Sequence, residues 1–287
     1  MTFFDFMKLV RYKNLVIIFM TQVLVYYTLI EGRVFFIPDP VIFALIIGTV
    51  LLTAAGYVIN DYYDVEADRI NRQDKIVVER IIAPRKALYI WMILNILAFL
   101  FAWIAGWKFL VFFIIVAFLL YIYALKIKRT PLLGNILVSV LLAMTIVILW
   151  LYKKGDYFEL MVLYAVFAFL TGLIREVLKD LEDMEGDQIA GFATFPVIFG
   201  IQKTINLVKI LILALVASLI IFAIFIMYMY YHYWVMMVYL LIFVLVPASL
   251  SLYLLQNAKE KNDFEQLTRY MKFIVFMGSF SMFLLLL

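Results

Sequence analysis

The chain has no cysteine and a single histidine, His232, among its 287 residues. Without cysteine there are no disulfides, no thiolate metal sites and no cysteine nucleophile. Charge is scarce as well: Asp, Glu, Lys and Arg make up 15% of the chain against 68% hydrophobic residues, with a mean hydropathy of +1.08. A soluble fold of this size cannot bury that much apolar surface, so the composition places the chain in a bilayer. No nucleic-acid motif is present, and the net charge of +4 is a topology signal before it is anything else.

The hydrocarbon core of a bilayer is about 30 Å thick and takes roughly 20 apolar residues per helical crossing. Nine stretches fit, approximately Asn14–Thr28, Val41–Asn60, Ala87–Trp107, Phe109–Leu125, Leu132–Tyr152, Leu160–Leu178, Thr204–Tyr231, Trp234–Gln256 and Tyr270–Leu287. The first is expected to be retained rather than cleaved as a signal peptide, because no small-residue cleavage site follows it. The expectation is an all-α integral membrane protein, with residues 1–287 forming a single transmembrane domain. If the N-terminus is inside, twenty Lys and Arg fall on the cytoplasmic side and four, Arg33, Lys108, Lys153 and Lys154, on the other. That asymmetry favours a cytoplasmic N-terminus, at the plasma membrane if the source is prokaryotic.

The acidic residues are not spread over the loops. Twelve of the twenty lie in two windows: Asp61, Asp64, Glu66, Asp68, Asp74 and Glu79 after the second stretch, and Glu176, Asp180, Glu182, Asp183, Glu185 and Asp187 after the sixth. Both windows follow an even-numbered crossing, which puts them on the same side. Asp61, Asp64, Asp68 and Asp180, Asp183, Asp187 share the offsets zero, three and seven, which on a helix place each trio on one narrow face. A carboxylate at that depth costs up to about 3 kcal/mol if unpaired, and two like charges about 4 Å apart repel by about 4 kcal/mol at an effective dielectric near 20. Divalent cations are the natural compensation. Mg²⁺ takes few protein oxygens and fills its remaining positions with water and phosphate, so paired Asp-rich faces suit a metal-bound polyphosphate. Arg69, Arg72, Lys75 and Lys179 flank the trios and suit leaving-group oxygens. The plainer reading of one such window is a solvated loop end that enforces topology; two windows with matched spacing weigh against it, whereas Glu66, Glu79, Glu182 and Glu185 lie off the trio faces and fit it.

These residues resemble the UbiA superfamily of intramembrane prenyltransferases. Asn60-Asp61-Tyr62-Tyr63-Asp64-Val65-Glu66-Ala67-Asp68 looks like its NDxxDxxxD motif, and Asp180-Leu181-Glu182-Asp183-Met184-Glu185-Gly186-Asp187 like its DxxDxxxD motif. The run from Arg175 through Asp187, followed by Thr194-Phe195-Pro196 and Gly200, is most similar to the digeranylgeranylglyceryl phosphate synthase-like members. Two stretches depart from the family. Asn71 through Arg80 lacks the prolines and glycine of NRPxRPIPSG, with Lys75 standing where the family has Arg, a change that loses the bidentate fork. The YxxxK element at the end of the fourth helix is matched only by Tyr123 and Lys128, with one extra residue between them.

The resemblance implies nine transmembrane helices around a lateral, lipid-accessible cavity with a cytoplasmic Asp-rich cap. It implies two Mg²⁺ held with diphosphate by Asn60, Asp61, Asp64, Asp68, Asp180, Asp183 and Asp187, with Asp64, Asp68, Asp180 and Asp183 central to catalysis. The substrates implied are a prenyl diphosphate and a lipophilic acceptor, most similar to a prenylglyceryl phosphate, with an aromatic or chlorophyll-type acceptor as the alternative. No nucleic acid and no obligate protein partner are expected. Arg11, Lys128 and Arg129 are candidates for a substrate phosphate, or topology anchors; Asn14 and Asn135 either contact substrate or join helices. His232 falls on the opposite side, and no general base is identified. A divalent cation transporter is the rival from another class, but it needs carboxylates near mid-membrane and on both sides. A non-catalytic scaffold has no need of intact Asp trios.

Overall fold

A computed structural model describes residues 2–32, 39–71 and 76–286. The helices, in chain order, are α1 (Phe3–Leu9), α2 (Tyr12–Leu24, continued by a π-helical turn Val25–Ile30), α3 (Pro40–Tyr63), α4 (Val65–Asn71), α5 (Pro84–Ile104), α6 (Trp107–Leu125), α7 (Leu133–Tyr152), α8 (Phe158–Ile189), α9 (Phe195–Phe199), α10 (Ile201–Met229), α11 (Trp234–Leu240, running on through the π-turn Leu241–Leu245 into α12), α12 (Val246–Asn257) and α13 (Lys261–Phe280, closed by a 3₁₀ segment Ser281–Leu286). Among the described residues nine helical stretches are long and apolar enough to cross a membrane, as the hydropathy pattern predicts. Their starts are marked locally. Asp39 accepts hydrogen bonds from the Val41 and Ile42 amides at the head of α3, and Pro40 and Pro84 open α3 and α5, where a missing N–H costs nothing. Gly106, at φ +116, makes the tight reversal from α5 into α6.

Two helices differ from their expected extents. α13 starts nine residues before the apolar run, at a box in which Asp263 caps the Lys259 and Glu260 amides. α8 does not stop at Leu178 but continues to Ile189. At 32 residues it is about 48 Å long against a core of about 30 Å, so its acidic final third extends beyond the hydrocarbon.

The chain forms two compact units. One comprises Met1–Val23, Phe36–Gly134 and Glu185–Ala193; the other comprises Leu24–Phe35, Asn135–Met184 and Thr194–Leu287. In the first, small residues on α3 let the backbones approach: a Cβ at Gly48 would lie 2.9 Å from the Phe113 ring and 3.4 Å from the Ala98 carbonyl oxygen, and one at Gly56 would meet Leu120 at 3.1 Å. Leu9, Val10, Ala54, Ala55, Val58, Val65, Val78 and Ile82 form a buried cluster beneath the first acidic motif. In the second unit, Gly278 on α13 sits directly against the Phe167 ring of α8, and Tyr164 and Ser281 share a buried hydrogen bond of 2.7 Å. Glu31 and Lys153 pair beside Gly155, whose α-carbon abuts the backbone of Leu29 and Ile30. Apolar side chains on α5, α6 and α10, among them Ile96, Leu100, Ile115, Phe118, Leu213 and Ile221, point outward, as helices facing lipid do.

Candidate active site

In the first unit the acidic motif is not one unbroken helical face. α3 ends at Tyr63, Asp64 caps it, and α4 begins at Val65, although the Asp64 amide still donates to the Asn60 carbonyl at 3.0 Å and the Asp68 amide to the Asp64 carbonyl at 2.8 Å. The cap turns Asp64 inward, leaving it 4% exposed. Asn60 Nδ2 donates to Asp64 Oδ2 at 2.5 Å, and Lys128 pairs with that same oxygen. Asp61 is paired with Arg11 at 2.6 Å, and the Arg11 guanidinium also lies 5.0 Å over the Tyr57 ring. Arg11 holds φ +52, unusual for a residue with a side chain, at the break between α1 and α2. Strain of this kind persists where the surroundings impose it, and here the Asp61 pair does so.

The two cations partly replace the compensation that divalent ions were expected to provide. Burial pulls the Lys128 ammonium down, but Asp64, then Asp68 and Asp187, outweigh it and hold its pKa above the ordinary value. Burial likewise opposes the Arg11 charge, and Asp61, Tyr57 and Asp64 overcome it. Lys128 therefore sits within electrostatic reach of Asp64 and Asp68 from the first motif and Asp187 from the second. The end of α8 is fixed there independently: the Gly186 amide donates to Asn71 Oδ1 at 3.0 Å, and Gly186 has no room for a Cβ against the Asn71 side chain.

Below this point the loop after α8 is stapled to the loop after α6. The Ala193 amide donates to the Arg129 carbonyl at 3.0 Å, and the Phe192 ring lies 4.7 Å from the Arg129 guanidinium and 5.9 Å from the Lys128 ammonium. Tyr123 and Lys128 both pack around Gly134, where a Cβ would meet Tyr123 Cε2 at 3.1 Å and Lys128 Cα at 3.0 Å. Asn14 hydrogen-bonds the Tyr57 hydroxyl at 3.3 Å, which is the helix-joining option. Arg69 pairs with Glu79 at 2.6 Å on the surface.

In the second unit Asn135 of α7 donates to Asp180 at 2.8 Å, so Asn135 orients a motif carboxylate. Asp180 and Asp183 ride on the continuous α8, where the predicted shared face holds, and Lys179 is half-buried on the same helix. Glu182, expected to be a solvated loop charge, is 7% exposed and within electrostatic reach of Arg269. Arg72 and Lys75 lie outside the described residues. Asn71, Tyr57 and Phe192 escaped the sequence reading. Phe192 and Lys128 are far apart in the chain, and nothing local marks an aromatic ring as a seat for cations.

Among the described residues no group of three or more His, Asp or Glu side chains converges as a ready-made metal cage. Asp61 and Asp64 are drawn to Arg11 and Lys128 instead of to a common point. The donor chemistry nevertheless fits a hard cation, because Asn60 Oδ1 and Asp64 Oδ1 are buried oxygens without a hydrogen-bond partner, the arrangement that a missing electropositive ligand leaves behind.

The UbiA prenyltransferase family model matches residues 19–279. A digeranylgeranylglyceryl phosphate synthase from Methanosphaera stadtmanae is 31% identical over 225 residues, covering 77% of this chain and 79% of that protein. A solved structure reported for digeranylgeranylglyceryl phosphate synthase in membranes superposes with a TM-score of 0.68 at 22% identity, covering 97% of this chain and 96% of the other. A UbiA homologue from Archaeoglobus fulgidus bound to DMAPP and Mg²⁺ superposes with a TM-score of 0.69 at 14% identity over 97% of this chain and 99% of the other. The family match spans most of the chain and takes in both acidic motifs; the protein is a member of the UbiA prenyltransferase family.

Proposed function

We propose that this protein transfers a prenyl group from its diphosphate to the hydroxyl of a prenylglyceryl phosphate within the membrane, in a Mg²⁺-dependent reaction that releases diphosphate. The strongest support is the position of Lys128, which pairs with Asp64 of the first motif and lies within electrostatic reach of Asp68 and of Asp187 from the second. The acceptor class follows the similarity to the Methanosphaera synthase; the metal and donor class follow the Mg²⁺ and DMAPP bound by the Archaeoglobus homologue.

In this reading Asn60, Asp61, Asp64, Asp68, Asp180, Asp183 and Asp187 hold two Mg²⁺ ions, with the orphaned oxygens of Asn60 and Asp64 as the first donors. Held there, Mg²⁺ would supply the positive charge that offsets the diphosphate leaving group as the allylic carbon–oxygen bond breaks. Lys128 and Arg11 offset the charges of Asp64 and Asp61, and Arg129, Arg72, Lys75 and Lys179 take phosphate oxygens. Phe192 fixes Lys128 and Arg129 from below. Asn135 keeps Asp180 directed, and Asn71 anchors Gly186 so that Asp187 stays at the site. The N-terminus and both motifs face the cytoplasm, an orientation supported by the twenty-to-four partition of Lys and Arg.

The direct test is transfer of radiolabelled prenyl diphosphates of several lengths to glyceryl phosphate, hydroxybenzoate and dihydroxynaphthoate acceptors, with products identified by mass. Mg²⁺-dependent product is expected with the glyceryl phosphate lipid, and Asp64→Ala and Asp183→Ala are each expected to lose about 10²-fold or more. Wild-type rates in both variants would defeat the proposed site, and product only on an aromatic acceptor would move the acceptor class.

A further inference from the structure

Arg175 lies on α8 in the apolar part of the span, five residues before Asp180 and so roughly 7.5 Å from it along the helix axis. Its side chain is half-buried, and its Nε is a fully buried donor with no hydrogen-bond partner. Among the described residues its guanidinium enters no ion pair. Ionisable groups inside a span are kept in this way where they serve a substrate or an ion. Lys179 follows one turn later on the same face, also half-buried and also without an ion pair among the described residues. Two like charges at this spacing oppose each other. Several cations near the motifs are paired with carboxylates, Arg11 with Asp61, Lys128 with Asp64, Arg69 with Glu79 and Arg269 with Glu265, and Arg129 lies over the Phe192 ring. Among the described residues Arg175 and Lys179 form a cationic pair on one helix face that enters no ion pair and no ring contact.

A phosphate monoester matches that pair. It carries close to two negative charges at neutral pH and three acceptor oxygens, and a guanidinium engages two of them in parallel while an ammonium serves as a point charge for the third. A lipid whose phosphate sits at the membrane boundary and whose chain runs along the span reaches this level of α8 without leaving the bilayer. We infer that Arg175, assisted by Lys179, is the binding site for the phosphate of the glyceryl lipid acceptor, and so selects a phosphorylated acceptor over a neutral one. The inference rests on the acceptor class proposed above.

The experiment uses the full chain in nanodiscs, with Arg175→Gln, Arg175→Lys and Lys179→Gln. The KM for a prenylglyceryl phosphate is expected to rise at least tenfold in Arg175→Gln and less in Arg175→Lys. The KM for the prenyl diphosphate should stay within twofold in both Arg175 variants. Discrimination between the phosphate lipid and the corresponding prenylglycerol should shrink by a similar factor. Unchanged acceptor KM and discrimination in Arg175→Gln, or a parallel rise in both KM values, would overturn the assignment. Binding of a fluorescent prenylglyceryl phosphate without donor separates the two readings. Binding weakened at least tenfold in Arg175→Gln, with no turnover of that lipid by the wild type, keeps the anion site and removes the acceptor. Equal binding by the variant and the wild type removes the anion site whatever the turnover. A melting temperature for each variant identifies any that fail to fold, and Arg175→Lys then carries the comparison.

Discussion

Replacing Lys128 with Met puts the electrostatics of the motif region to the sharpest test. The ammonium is paired with Asp64, their side chains are 16% and 5% exposed respectively, and Asp68 and Asp187 also lie within its reach. Removing one partner of a buried pair costs about 3–5 kcal/mol, because the remaining charge stays buried without compensation. The cost should fall at the upper end here, since three carboxylates share this cation. For a chain of this size about 3 kcal/mol corresponds to a drop in melting temperature of about 6 °C or more. The assay is thermal unfolding of detergent-solubilised protein in EDTA, then with Mg²⁺ and a non-hydrolysable prenyl diphosphate analogue. Lys128→Met should melt well below the wild type in EDTA and recover much of the difference when the divalent ion takes over Lys128's role. Asp64→Asn combined with Lys128→Met should be more stable in EDTA than Lys128→Met alone, because the neutral pair leaves no stranded charge. A Lys128→Met protein within about 2 °C of the wild type in EDTA, or a double variant no better than the single, would refute the reasoning.

Two further outcomes follow from the same geometry. Gly186→Ala places a methyl group against the Asn71 side chain and breaks the bond that seats the end of α8; overpacking of this kind costs about 1–3 kcal/mol, and the KM for prenyl diphosphate should rise while Asn71→Gly in the same chain restores part of it. Lys128 has a pKa raised above its ordinary value, so its stabilising effect is fully present at neutral pH and is lost only as pH rises through that raised value. The difference in melting temperature between the wild type and Lys128→Gln should therefore stay constant from pH 7 to pH 10, and a difference that closes within that range would contradict the assignment.

The family match bears out the prenyltransferase reading, which rested on the two acidic motifs and their common spacing. The nine crossings were legible for a simple reason: a bilayer imposes a length of about 20 apolar residues on every helix, and that constraint is written locally. The motifs were legible because carboxylates at an apolar boundary are costly and therefore conspicuous. Helix extents at the interface were less so. α8 runs on through Asp180 and Asp187 to Ile189, since a helix entering water keeps its backbone bonds and nothing in its hydropathy marks where it stops.

Composition and spacing by themselves determined that this protein spans a membrane, and they pointed to two sets of carboxylates for which hard cations and phosphate are fitting partners. Only the tertiary structure decided which cation meets which carboxylate. Arg11 is 50 residues from Asp61 and Lys128 is 64 from Asp64, and pairing across such separations depends on helix packing that no local pattern encodes. The same holds for Arg175: the sequence shows an arginine beside a motif, but whether its guanidinium has an internal partner is settled by what the folded chain brings near it.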